Sequence, residues 1–196
     1  MPTLRIAQDV AADGLLGRDP LALLLGMLLD QQFPMERAFA APRLLADRLE
    51  VETLDAAQLA AADPEELTRV FQGPPALHRY PGSMAGRAQD LCRLLVERYD
   101  GRPENLWADA PDGATLLRRL GELPGFGAQK SKIFLALLGK QYGVTPAGWR
   151  EAAGDYGTDG SRRSVADITG PESLAEVRAF KQAQKQAAKA RQPAGK

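Results

Sequence analysis

Residues 123–132 read LPGFGAQKSK, and a helix-forming run, SKIFLALLGKQY, overlaps and follows them. Gly125 and Gly127 supply backbone freedom and let another backbone come close. The amides of the new helix's first turn, from about Gly127 onward, have no partners within that helix, and a phosphate oxygen suits them. Lys130 and Lys132 bring positive charge to the same place. Two readings fit these residues: a hairpin that grips phosphate, and a tight turn between helices. Other chemistry-bearing side chains are few. His78 is the single histidine, with no serine or cysteine partner evident, and reads as a loop residue or a phosphate contact. Cys92 is the single cysteine, which excludes an internal disulfide, a four-cysteine iron–sulfur cluster and a cysteine zinc site. Trp149 and Tyr156 could stack on a base, although a tryptophan also suits the core. Arg87 fits a DNA contact or a solvated helix start.

Charge adds a second signal. The formal net charge is zero over 196 residues, yet it is unevenly spread. Residues 1–129 hold 13 arginines and 19 acids, while residues 130–196 hold 12 lysines and arginines against 6 acids. No lysine precedes Lys130. A basic third can neutralise phosphates locally whatever the total charge; a solvated basic tail balancing an acidic body is the plainer account. A chain 44% apolar and 26% charged is ordinary for a globular protein, long enough for one good core or a core with a smaller lobe. The N-terminus lacks a basic segment leading into an apolar one, so no signal peptide is expected. The longest apolar run, LALLLGMLL, is far short of the roughly 20 residues a membrane span needs. With a single cysteine, these features fit a reducing cytoplasm.

The elements that must position these residues read as helices. Residues 18–32 are nearly continuous in apolarity, with Asp19 to cap and Pro20 in the first turn, and should form a buried central helix. Residues 35–49 carry helical periodicity, with Pro42 predicted to kink or break it. Residues 55–71 read as two short helices, the second started by Asp63-Pro64-Glu65-Glu66. A loop at 72–83 leads to a helix from about Met84 to Tyr99 that shows Ala88, Leu91, Cys92, Leu95 and Tyr99 on one face. Another helix is expected at about 112–121, a looser glycine-rich stretch after Tyr142, and a last helix over 171–190 that turns basic and frays at its end. No segment alternates convincingly as a strand, so the fold class is all-α.

LPGFG followed by an apolar helix resembles the helix-hairpin-helix signature of the HhH-GPD superfamily of base-excision DNA glycosylases. The likeness extends in order and spacing over about residues 19–142. LLLGMLLDQQ (23–32) resembles the family's early buried helix and the polar segment that ends it. RYPGSMAGRAQDLCRLLVERYDG (79–101) resembles the segment in which a basic residue and an alanine open a helix, and RPENL (102–106) leads on toward the hairpin. The second half of the chain matches poorly. The resemblance implies a two-lobed helical fold. Residues 20–142 would form the central domain, with the hairpin at about 112–138, and residues 1–19 plus 143–196 a second lobe with a basic C-terminal helix. A lesion pocket would lie between them.

Carried over residue by residue, the likeness is selective. Endonuclease III-like members, which also cut the strand, have a lysine two residues after the hairpin's second glycine. Here that position is Gln129, and Lys130 comes one residue late, about 100° further round the helix. The resemblance therefore implies a monofunctional enzyme in which water displaces the base and Gln129 faces it. The window where the family places its catalytic carboxylate is 147–149 here and reads Ala-Gly-Trp. Glu151, Asp155, Asp159 and Asp167 follow it. Asp155, in a glycine-flanked loop, and Asp167, before the last helix, are the candidates to stabilise an oxocarbenium-like state or activate water; each also suits a cap or the surface. Asp30 is an alternative acid at the pocket, or a solvated helix end. Gln32 matches the residue that helps fill the gap left by a flipped base, and a local helix-end hydrogen bond fits it equally. DNA contacts are expected from Gly125, Gly127, Ala128, Gln129, Lys130 and Arg87. The backbone carbonyls of Gly121, Leu123 and Phe126 would hold a structural Na+ or K+. No other cofactor is required. The implied partner is double-stranded DNA, bound by a cytoplasmic, nucleoid-associated monomer. Without an acid in the pocket, the same features would describe an inactive DNA-binding or damage-recognition protein. A helical interaction protein with a merely structural hairpin is a third account.

Overall fold

The computed structural model describes residues 2–191, and the last helix, expected over 171–190 with a frayed end, is helical to Arg191. All ten regular elements within it are α-helices joined by short loops and 3₁₀ turns, and the only β-type pairing is an isolated bridge between Asp112 and Ala147. No helix among the described residues is long and apolar enough to cross a membrane.

The helix expected over 18–32 is the shorter α2 (Pro20–Leu29), and an unexpected helix, α1 (Val10–Arg18), precedes it. Asp19 separates them. Its backbone is extended and its carboxylate accepts the amides of Leu21, Ala22 and, across the fold, Leu54. α1 escaped notice because its glycine-containing sequence, VAADGLLGR, carries little periodic signal. It is held instead by Asp9 at its cap and by Asp13, whose carboxylate accepts the amides of Ile6 and Ala7 at 2.8 Å. Every residue of α2 from Leu21 to Leu29 is buried, as continuous apolarity requires. α3 (Met35–Arg48) continues unbroken through Pro42. The proline removes one helix bond, but Phe39, Ala41, Leu45 and Ala46 around it are all buried, and their packing carries the helix across.

α4 (Ala56–Ala61) and α5 (Pro64–Gln72) are the two expected short helices, capped by Asp55 and Asp63. Both pack on α6 (Pro81–Tyr99), which starts three residues earlier than its periodicity suggested because Pro81 fills the first turn. The hairpin follows: α7 (Gly113–Gly121), the turn, then α8 (Ala128–Gln141). α9 (Trp149–Ala153) and 3₁₀ turns at Gly154–Gly157 and Val165–Asp167 lie against α8, with Trp149 buried over Gly139. α1 lies against α2 and α3. α10 (Pro171–Arg191) is anchored by its buried Leu174 and Val177.

Candidate functional site

The turn between α7 and α8 is built by local bonds. The Leu123 amide donates to Leu120, and the Phe126 amide donates to Leu123 at 3.0 Å. Gly125 has φ +81°, which favours glycine, and a Cβ there would stand 2.5 Å from Leu28 Cδ1. Gly127 differs. Its φ is −80°, nothing lies within 4 Å of an added Cβ, and it caps α8 without any side-chain acceptor. The first helical bond of α8 runs from the Ser131 amide to the Gly127 carbonyl, so the amides of Ala128, Gln129 and Lys130 precede the ladder and point out of the helix end.

Beside this end opens a cleft of about 1090 Å³. Its walls are the N-terminal turn of α8, the loop 30–34 between α2 and α3, and residues 178–188 of α10. Six cationic side chains line it, Arg79, Lys130, Arg163, Arg178, Lys181 and Lys185, against two acids, Asp30 and Glu36. A chain of zero net charge has thus concentrated positive charge in one cleft.

Gln129 and Lys130 both line it, although they lie 100° apart on the helix. Gln129 Nε2 donates to the Tyr156 hydroxyl at 2.8 Å. Lys130 Nζ reaches back and donates to the Leu28 carbonyl at 2.8 Å, on the last turn of α2. Burial lowers the Lys130 amine to about 8, with Arg87 and Lys181 adding to the effect and Asp30 opposing it. Asp30 caps the C-terminus of α2 and its side chain is only 10% exposed. Desolvation raises its pKa, with Glu36 adding to the rise and Lys181 and Lys130 opposing it. Lys181 Nζ stands 3.9 Å from Asp30 Oδ2. Glu36 pairs with Arg178 through one carboxylate oxygen, and the other oxygen is buried without a partner.

The loop 30–34 is positioned from behind. His78 is buried rather than exposed in its loop. Its Nδ1 accepts the Tyr80 amide and its Nε2 faces the Gln31 carbonyl, each at 3.0 Å, which puts the ring proton on Nε2. Desolvation lowers its pKa and keeps the ring neutral. Arg87 donates to Gln31 Oε1 at 2.9 Å, so it braces a cleft residue rather than lining the cleft. Gln32 is exposed with φ +51°, at the lip between this cleft and a smaller groove of about 510 Å³ that includes Arg37, Phe33 and His78.

The two acids expected to serve the pocket are elsewhere engaged. Asp167 is buried, bonded to Lys140 at 2.6 Å and to the amides of Arg163 and Ser164, and caps a 3₁₀ turn. Asp155 is exposed and pairs with Arg163 at 2.8 Å. Asp159 pairs with Arg150. None of these, nor Glu151, lines the cleft. Trp149 packs in the core, whereas Tyr156 does face the cleft. Reading the sequence missed Glu36, Arg178 and the α10 lysines as cleft residues; the one signal toward them was the basic last third of the chain. The described residues contain no cluster of three metal-ligating side chains.

No family model, curated protein or solved structure matches the chain.

Proposed function

We propose that this protein binds double-stranded DNA and acts in base-excision repair as a monofunctional glycosylase, hydrolysing the N-glycosidic bond of a damaged or mispaired base. One observation carries the reading: free helix-end amides, six cations and a buried carboxyl converge on a single cleft of about 1090 Å³. Phosphates suit the amides and cations, and the cleft has room for an extruded nucleotide. Gly127 supports the same reading. Its missing Cβ serves no contact within the fold and leaves the helix end open to a backbone.

Asp30, rather than Asp155 or Asp167, takes the catalytic role in this reading. Water bonds to C1′ and its proton passes to the Asp30 carboxylate, while the base leaves with the bond pair and takes a proton from solvent. The carboxylate also offsets positive charge on the sugar as the bond opens. Gln129, held by Tyr156, offers its amide to the base edge. Gln32, held out on its strained backbone, suits the vacated stack. A Na+ or K+ at the hairpin would be held by the carbonyls of Gly121, Leu123 and Phe126, an oxygen set that suits such an ion; the Leu123 oxygen also accepts the Phe126 amide.

A second reading, a DNA-binding or damage-recognition protein without catalysis, draws on the raised pKa of Asp30, which reduces its ionised fraction, and on the engagement of every downstream acid. A panel of duplexes carrying uracil, alkylated purines, 8-oxoguanine and mismatches separates the two. Base release that vanishes in Asp30→Asn supports the enzyme. Tight, salt-dependent binding with no release on any duplex favours the binder, and no salt-dependent binding at all removes both.

A further inference from the structure

We infer that the C-terminal half of α10, residues 181–190, is a second grip on the DNA backbone, with Lys181 and Lys185 in the cleft wall and Lys189 extending the same stripe beyond it. The inference rests on the DNA-binding reading and goes beyond it in naming a surface outside the part of the chain that resembles the glycosylases. Lys181, Lys185 and Lys189 recur every four residues. On a helix that spacing is about 6 Å of rise with about 40° of drift, a single stripe along one face. Lys181 and Lys185 line the cleft that Lys130 lines from the other side.

The composition of this half-helix excludes apolar docking. The chain contains no acid after Glu176, so the stripe lacks the helical ion pairs that would neutralise it, and like charges four residues apart repel. Beyond Phe180, no residue up to Arg191 is more apolar than alanine. Such a surface can enter neither a lipid interface nor a hydrophobic groove. Lysines and the interleaved Gln182 and Gln184 leave hydrogen bonding and charge as its chemistry, and a phosphate backbone uses both.

The half-helix is nevertheless anchored at its start. The preceding turns of α10 are seated by the buried Leu174 and Val177, and Arg163 lies over the Phe180 ring at 5.4 Å. Arg178 pairs with Glu36 across the cleft, and Lys181 donates to the Met35 sulfur at 2.9 Å. A cationic half-helix is thus anchored at its start beside an open site, with no anion of its own along its last three turns.

The test measures anisotropy of a labelled undamaged duplex with the full-length chain between about 50 and about 200 mM salt. K181Q/K185Q/K189Q should lower the salt slope by about 2–3 and weaken binding about tenfold or more, since each phosphate contact contributes roughly 0.9 to the slope. R69Q/R93Q/R98Q removes the same charge from exposed arginines outside the cleft and should leave the slope near that of the wild type. Circular dichroism confirms that both variants are folded. An unchanged slope in the lysine variant, or an equal fall in the arginine variant, overturns the inference while leaving the DNA reading intact. Wild-type protein that binds anionic vesicles in preference to duplex also overturns it. Wild-type protein with no salt-dependent binding overturns the DNA reading itself.

Discussion

Asp30 occupies a position where ionisation is costly: its side chain is 10% exposed and its nearest cation, Lys181, stands at 3.9 Å. Desolvation outweighs both lysines and raises its folded pKa above the unfolded value of 3.8. For an acid with a raised folded pKa, stability is full at low pH and is lost as pH climbs through the folded value. Asp30→Asn should therefore melt no lower than the wild type at neutral pH and show a flatter stability profile just above pH 4, while base release falls about 10²–10⁴-fold. A large loss of melting temperature without loss of release would remove Asp30 from the mechanism. Asp167→Ala should do the reverse. It leaves the ammonium of Lys140, itself 12% exposed, without its counter-ion and with only the Thr158 carbonyl as acceptor, and should cost about 3 kcal/mol in denaturant unfolding, with release per folded molecule unchanged. Lys130 tests the absence of covalent chemistry. Its amine, lowered to about 8 and lining the cleft, is the group that could attack an aldehyde sugar. With its Nζ committed to the Leu28 carbonyl at 2.8 Å, borohydride should trap no adduct with an abasic duplex. A trapped adduct lost in Lys130→Ala would make the protein a lyase.

At the scale of elements, the hairpin's two glycines do different jobs, and substitution separates them. Gly125→Ala forces a side chain onto φ +81° and into Leu28, and should cost about 1–3 kcal/mol of stability. Gly127→Ala meets open space at an ordinary backbone angle, so its stability should change by less than about 0.5 kcal/mol while duplex affinity falls because the new methyl obstructs the helix end. Equal stability losses at the two positions would argue that the turn is purely structural. The same elements show what was legible beforehand. Local chemistry announced α2 through Asp19-Pro20, α5 through Asp63-Pro64, and the hairpin through its glycines. Features imposed by distant packing were not legible. α3 crosses Pro42 because the core holds both sides, whereas α1, though held by the nearby carboxylates of Asp9 and Asp13, was hidden by the weak periodicity of VAADGLLGR. In the cleft, Gln129, Lys130, Asp30 and Gln32 could be named because they lie in the hairpin and in the segment ending the buried helix, the two places that the glycosylase resemblance singles out. Glu36 and Lys181 could not, since only the fold brings residues so far apart in sequence together.

Across the whole molecule, buried groups with shifted protonation set the alkaline limit of stability. Burial pushes the Cys92 thiol up to about 12 from 9.0, and the Tyr142 phenol up to about 12 from 10.0, in each case mainly by desolvation. Unfolded chains release these protons first, so the folded state binds more protons and loses stability as pH rises from about 9 toward 12. Lys130 works in the opposite sense. Its folded amine deprotonates near 8 and its unfolded amine near 10.5, so between those values the unfolded chain holds the extra proton and stability rises with pH. The sum is a rise above pH 8 from Lys130 alone, offset from pH 9 by Cys92 and reversed from pH 10 when Tyr142 joins it. Melting temperature measured against pH should therefore reach its alkaline maximum between about 8 and 10 and decline above that. Lys130→Met should abolish the rise, and Cys92→Ala should move the decline to higher pH. Both variants must alter their own limb for the assignment to stand. A wild-type profile that falls steadily from pH 8 would show that the Lys130 amine is hydrated in solution. It would then keep its charge at the pH of repair and act as a simple phosphate contact in the cleft.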